Sequence, residues 1–128
     1  DIMSTILDIT ETATPEKAAM DSQSFLPIIL GKLEGEFLRT STIHNTRKKD
    51  FAVRDGKWLY INGPTGDVSK MPEYYKALRN YKDFNTKGLL FDLEKDPEQR
   101  VNLYVENPEL VKSMEALLKA ELSRGYLN

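Results

Sequence analysis

The chain contains no cysteine, so it has no disulfide, no thiolate metal site and no cysteine nucleophile. That absence leaves the compartment open, because cytoplasmic and periplasmic proteins alike do without the residue. There is a single histidine, His44. A nucleophilic triad would have to be built on that one imidazole, and no serine stands in a nucleophile-elbow motif to serve it. The expectation is therefore that the chain holds no catalytic residues of its own. Long apolar runs are also missing. The longest, Phe25 to Leu30, is interrupted by Pro27; it falls far short of the roughly 20 residues that cross a bilayer and lacks the basic flank of a signal peptide. No membrane partner is expected, and any export signal would lie upstream of Asp1. Nor is there an excess of positive charge. Lys and Arg number 18 against 20 Asp and Glu, a net charge of -2, which gives no general pull on phosphates and argues against a nucleic-acid partner.

What remains is enough for one ordinary core. At 128 residues with 40% hydrophobic side chains, the chain should bury roughly two thirds of its unfolded surface. Asp1 to Ile9 reads as a short helix with Asp1 at the N-cap, and a chain that starts at a helix cap suggests a piece of a longer one. Ser24 to Gly31 reads as a turn of helix stopped by glycine. Phe37 to His44 has the β-branched content of a strand. The clearest local signal is Phe51 to Ile61, where Asp55-Gly56 predicts a two-residue hairpin turn with Arg54 opposite Lys57, Val53 opposite Trp58 and Phe51 opposite Tyr60. Phe51, Val53, Trp58 and Tyr60 then share the core face. Ala52, Leu59 and Ile61 on the other face suggest that it too is covered.

Residues 62–88 read as an insertion, with turns at Gly63-Pro64 and Gly66 and a short helix from Glu73 to about Tyr81. A strand follows at Leu89 to Leu93, then a single capped turn of helix at Asp96-Pro97-Glu98-Gln99. The last helix opens at Asn107-Pro108-Glu109, carries Leu110, Val111, Met114, Leu117, Leu118 and Leu122 on one stripe, and ends at Gly125. Two small helices, three or four antiparallel strands and a closing amphipathic helix that lies across the sheet define an α+β layer structure.

Constellations that could carry chemistry are sparse. His44 ends a predicted strand beside Asn45, Thr46, Arg47, Lys48 and Lys49, and loops held by a rigid sheet are common binding positions; the bland reading is a solvated surface histidine. Asp92, Glu94 and Asp96 alternate like the start of a calcium loop, but Pro97 and Leu103 stand where that loop needs glycine and glutamate, so no metal site is expected. Arg47-Lys48-Lys49 could attract an anion or simply be solvated. Tyr74, Tyr75, Tyr81 and Phe84 could wall a sugar subsite or form a satellite packing cluster.

Five segments in order carry a resemblance: Asp1 to Ile9, Ser24-Phe-Leu-Pro-Ile28, Phe51-Ala-Val-Arg-Asp-Gly-Lys-Trp58, Leu90-Phe-Asp-Leu-Glu-Lys-Asp-Pro-Glu98 with Asn102-Leu103, and Asn107-Pro-Glu-Leu-Val111. Together they resemble the C-terminal region of bacterial-type sulfatases, arylsulfatase-like enzymes of the alkaline phosphatase superfamily, over nearly the whole chain. The resemblance implies residues 1–36 as the end of the N-terminal sulfatase domain and its linker. Residues 37–128 would be the C-terminal subdomain, a four-stranded antiparallel sheet with a packed helix that lines one side of the substrate cleft. It implies a parent sulfuric ester hydrolase with calcium and a formylglycine, both held by the N-terminal domain; neither the formylglycine signature nor the acidic calcium ligands occur here. Ile43-His44-Asn45 matches a family position before the hairpin, which makes His44, with Asn45 and, more weakly, Arg47, the substrate-binding residues implied. Leu59, where the family usually has lysine, and the tyrosine-rich stretch before Leu89 depart from the pattern. The partners implied are the N-terminal sulfatase domain and a sulfated small molecule or glycan, with the parent periplasmic or extracellular. Cut from that domain, the chain is expected to self-associate or to fray at its N-terminus. The alternative is a free-standing, non-catalytic binding or assembly module that has kept this fold.

Overall fold

The structure is a computed structural model that describes residues 1–15, 18, 22–32, 39–45, 49–64, 71–82 and 84–125. The chain divides into two units. One comprises Ser41–Arg124; the other comprises Asp1–Thr40 with Gly125–Asn128.

The larger unit is an antiparallel sheet of four strands in sequence order: β1 (Ser41–Asn45), β2 (Phe51–Asp55), β3 (Trp58–Ile61) and β4 (Leu89–Asp92). The β2–β3 register differs from the expected one. Asp55 pairs with Trp58, Arg54 with Leu59 and Val53 with Tyr60, so the two turn residues are Gly56 and Lys57 rather than Asp55 and Gly56. The reason is conformational: only glycine occupies the left-handed region at no steric cost, and Gly56 takes it with φ 54° while Asp55 stays extended in the strand. Each partner moves by two positions, and a shift of two preserves the face. Phe51, Val53, Trp58 and Tyr60 accordingly still share one side of the sheet.

That side is covered by α4 (Pro108–Gly125). Val111, Met114 and Leu118 lie on one helical stripe and are buried against Val53, Tyr60 and Leu90, with Leu110, Leu117 and Leu122 packed at the margin. Each such burial contributes about 1.5–3 kcal/mol. The opposite side carries a second apolar cluster of Ala52, Leu59, Leu89 and Phe91, joined by Ile61, Phe84 and Leu93. This explains why β4 reads as an unbroken apolar run: both of its faces are covered.

The outer edge of β4 is capped by side-chain chemistry. The Asn102 Oδ1 accepts the backbone N–H groups of Leu90 (2.9 Å) and Tyr104 (3.1 Å), its Nδ2 donates to the Thr86 hydroxyl (2.9 Å), and the Leu103 N–H donates to the Leu90 carbonyl (2.8 Å). Gly88, just before β4, lies so close to its neighbours that an added Cβ would meet the Tyr104 ring at 2.7 Å and the Ile61 carbonyl at 2.9 Å.

Residues 96–99 form a turn instead of the expected helical turn. The Gln99 N–H donates to the Asp96 carbonyl, Gln99 takes φ 57°, and the Asp96 carboxylate accepts the Val101 N–H at 2.8 Å. The left-handed Gln99 stops a helix from propagating, so Asp96 caps a turn rather than a helix. Within 62–88, α3 (Glu73–Arg79) ends at Asn80 in a left-handed cap.

The smaller unit contains α1 (Ile2–Ile9) and α2 (Leu26–Ile29), followed by Gly31 at φ 65°. Asp1 stands at the N-cap position but makes no side-chain cap. Its carboxylate instead accepts the Gln23 N–H at 2.9 Å and pairs with Arg39. A guanidinium in reach makes the stronger, charge-assisted bond.

Candidate functional site

The sheet fixes where the side chains singled out by the sequence can act. His44 and Asn45 end the edge strand β1, paired with Ala52 and Phe51, and both are exposed. Successive strand residues point to opposite faces. His44 therefore shares the face of Ala52 and Leu59, away from α4, whereas Asn45 shares the face of Phe51. The two are sequence neighbours with different outlooks, and side by side they do not make a common pincer. His44 stands at the rim of the second apolar cluster, with its ring open to solvent. It can offer a hydrogen bond or a positive charge to a group approaching that face. Arg47 lies outside the described residues, as do its neighbours Thr46 and Lys48.

The acidic segment after β4 is structural. Asp92 is 4% exposed. Its Oδ1 accepts the N–H groups of Glu94 (3.2 Å) and Lys95 (3.3 Å), and its other oxygen meets the Lys57 ammonium at 3.3 Å. Burial pushes the Asp92 carboxyl up, but the Lys95 N–H, the Lys57 ammonium and the Glu94 N–H outweigh it and hold the group below the ordinary carboxylate range. Lys57 in turn is raised by its hydrogen bond and charge contact with Asp92. The hairpin turn is thereby tied to the end of β4, a tie strengthened by the Leu93 N–H donating to the Lys57 carbonyl at 2.8 Å. Among the described residues no group of three His, Cys, Asp or Glu side chains is gathered to hold a metal.

The aromatic residues of the insertion have separate partners. Phe84 sets its edge against Phe91 at 5.8 Å, Tyr81 lies under Arg100 and Tyr75 under Arg79, while Tyr74 is 74% exposed. They build no single sugar-stacking wall. The tyrosine that sequence reading assigned only to the core, Tyr60, has a polar role as well: its hydroxyl donates to the Glu115 carboxylate at 2.9 Å. Burial, together with that carboxylate, pushes the phenol well above its ordinary range. A glutamate on the α4 stripe's border, between Val111 and Leu118, was the available signal for this contact.

The larger unit is thus an antiparallel four-stranded sheet closed by one C-terminal amphipathic helix, with the β4 edge covered by Asn102-Leu103. No family model matches the chain. The chain is 30% identical over 128 residues to an N-acetylgalactosamine-6-O-sulfatase of Bacteroides thetaiotaomicron, covering 97% of this chain and 23% of that protein. It is 28% identical over 130 residues to arylsulfatase K of Gallus gallus, covering 94% of this chain and 21% of that protein. A solved 6S-sulf protein, from the metabolism of multiple glycosaminoglycans by Bacteroides thetaiotaomicron, superposes with a TM-score of 0.70 at 26% identity over 97% of this chain and 24% of its own length. The chain thus matches the C-terminal portion of sulfatases and spans less than a quarter of the length of these relatives.

Proposed function

We propose that the chain completes one side of the substrate cleft of a sulfuric ester hydrolase without turning over substrate alone, and that His44 reaches the sulfated substrate from the cleft's rim. The observation that carries this reading is the position of His44: an exposed imidazole at the end of an edge strand, on the sheet face that α4 leaves open. In this reading Asn45 assists at the same strand end from the opposite face, and Arg47 is a further substrate-binding residue. In this reading residues 1–36 finish the N-terminal domain, and residues 37–128 are the C-terminal subdomain. The parent is periplasmic or extracellular, and its substrate is a sulfated glycan, in keeping with what the similar proteins are named for acting on. Calcium and formylglycine, which supply the Lewis acid and the nucleophile in this class, belong to the N-terminal domain; no described cluster here fits a metal.

Support for a large partner domain comes from α1. Its buried residue is Thr5, whose hydroxyl donates to the Asp1 carbonyl and accepts the Phe25 N–H. Ile2, Met3, Ile6 and Ile9 are exposed, as are Ile28, Ile29 and Leu30 around α2. A helix with its polar side inward and its apolar side outward is waiting for cover. The N-terminal sulfatase domain supplies that cover in the parent.

The test is His44→Ala in the parent enzyme, assayed on its sulfated substrate. The expected result is a loss of about tenfold or more in kcat/KM, near 1.4 kcal/mol of transition-state binding, with an unchanged melting temperature because the side chain is exposed. Full activity in the variant overturns the assignment of His44. Sulfatase turnover by the pure 128-residue chain, with or without calcium, overturns the non-catalytic reading.

A further inference from the structure

A cleft of about 280 Å³ opens on the α4 side of the sheet, on the opposite face from His44, between β3, the segment before β4 and the second half of α4. Its size is near the lower end of ligand sites and suits a single ring rather than a chain of them. Tyr104 contributes an aromatic wall, its ring stacked on that of the buried Tyr60 with centroids 6.5 Å apart and planes within 16°. Leu118 and Leu122 add the apolar wall from α4.

The polar groups are more numerous than an apolar guest needs. Asn62 spends its Oδ1 on the Phe51 N–H at 2.7 Å, which leaves its amide NH₂ as a donor at the cleft. Glu115 uses one oxygen to accept the Tyr60 hydroxyl and keeps the other as an acceptor. Lys87 and Lys119 are both exposed at the rim, and neither makes an ion pair among the described residues. The lining therefore combines an aromatic surface, donors and an acceptor, and two exposed ammonium groups against one carboxylate. A flat aromatic acid would leave the amide and the carboxylate without partners, and a bare anion would leave the Tyr104 ring unused. A ring that carries hydroxyls, which both donate and accept, together with an anionic substituent, satisfies every group.

We infer that this cleft is a binding site for one acidic sugar residue, with the ring against Tyr104 and its sulfate or carboxylate between Lys87 and Lys119. The site does not depend on His44 or on the cleft assigned to it. It gives the subdomain a second hold on a polyanionic chain, which raises the effective concentration of that chain near the subdomain. Because both lysines are exposed, the attraction weakens as salt rises.

The experiment is a ¹H–¹⁵N NMR titration of the 128-residue chain with an unsaturated chondroitin 6-sulfate disaccharide, with lactose and sodium sulfate as separate probes. The expected result is saturable shifts centred on the amides of Asn62, Lys87, Tyr104 and Lys119 with the disaccharide. Lactose should give much weaker shifts, and Lys87→Ala/Lys119→Ala should weaken affinity about tenfold. Both substitutions fall at exposed positions, so the variant's spectrum should otherwise superpose on the parent one. Shifts elsewhere, no saturable shifts, or affinity indifferent to the two lysines overturn the site. Equal binding of sodium sulfate reduces it to an anion spot and overturns the sugar. Failure of His44→Ala in the parent assay leaves these readouts untouched, so the two readings fail separately.

Discussion

Two helices of this chain use their apolar residues in opposite ways. α4 turns Val111, Met114 and Leu118 inward onto the sheet, whereas α1 turns Thr5 inward and leaves Ile2, Met3, Ile6 and Ile9 in solvent. The first helix has its partner within the chain; for the second, the described residues provide no cover over these four side chains, and the proposed function assigns that cover to the N-terminal domain. A helix pattern therefore reports that a face will be covered, and the tertiary structure reports whether this chain provides the cover. The contrast also separates stability from assembly. Substitutions under α4 should act on folding, and substitutions on α1 should act on association.

The largest expected effect tests the first half of that statement. Leu90 is fully buried between β3 and the α4 stripe, and Leu90→Ala should cost about 2–5 kcal/mol, read as a lowered midpoint in urea. Phe91→Ala, on the other face, belongs to the class that costs about 3–5 kcal/mol. If the Phe91 substitution were tolerated, the second cluster would count as surface rather than core. Next comes the edge cover: Asn102→Ala removes the acceptor of the Leu90 N–H and should cost about 1–3 kcal/mol, with faster amide exchange at Leu90 than at Phe91 as its local signature.

Acid should unfasten the hairpin from β4. Because the folded Asp92 carboxyl titrates below its unfolded counterpart, its contribution is complete above the unfolded value of about 4 and is lost as pH falls through the lower folded value. Asp92→Asn should flatten this acid limb of the stability profile while lowering the plateau at neutral pH. An unchanged acid limb would detach Asp92 from the tie to Lys57.

The smallest effect on stability is the sharpest test of the comparison. Ile2→Ser/Ile6→Ser should move the unfolding midpoint little, within about 0.5 kcal/mol, yet should abolish the self-association expected of the isolated chain in sedimentation velocity. A monomeric parent chain with strongly protected amides across Ile2 to Ile9 would mean that α1 is already covered. Loss of several kcal/mol in the double variant would place these isoleucines in the folding core.

Much of this was legible in the amino-acid pattern because it depends on local chemistry. Alternation from Phe51 to Ile61 assigned both sheet faces, and the stripe from Leu110 to Leu122 assigned the inner side of α4, since period 2 and period 3.6 dictate direction whatever the partner. Other features depend on groups far apart in sequence. The tie on Lys57 of the hairpin turn comes from Asp92 and Leu93, which lie more than 30 positions downstream, so no local pattern shows it. Asp1 likewise gave up its helix cap to Arg39 and Gln23. The candidate rim divides similarly: sequence singled out His44 and Asn45 together, and the pleat of β1 sets them on opposite faces.

The sequence by itself determined where most of the strands and helices fall and which of their faces are apolar. Tertiary structure decided the β2–β3 register, the Asn102 cover on β4, the gathering of Tyr60, Tyr104, Asn62 and the two lysines around one cleft, and the outward turn of α1. The division follows from range: periodicity and turn preference act within a few residues, whereas register, edge cover and clefts are settled by bonds that join residues brought together only when the sheet closes.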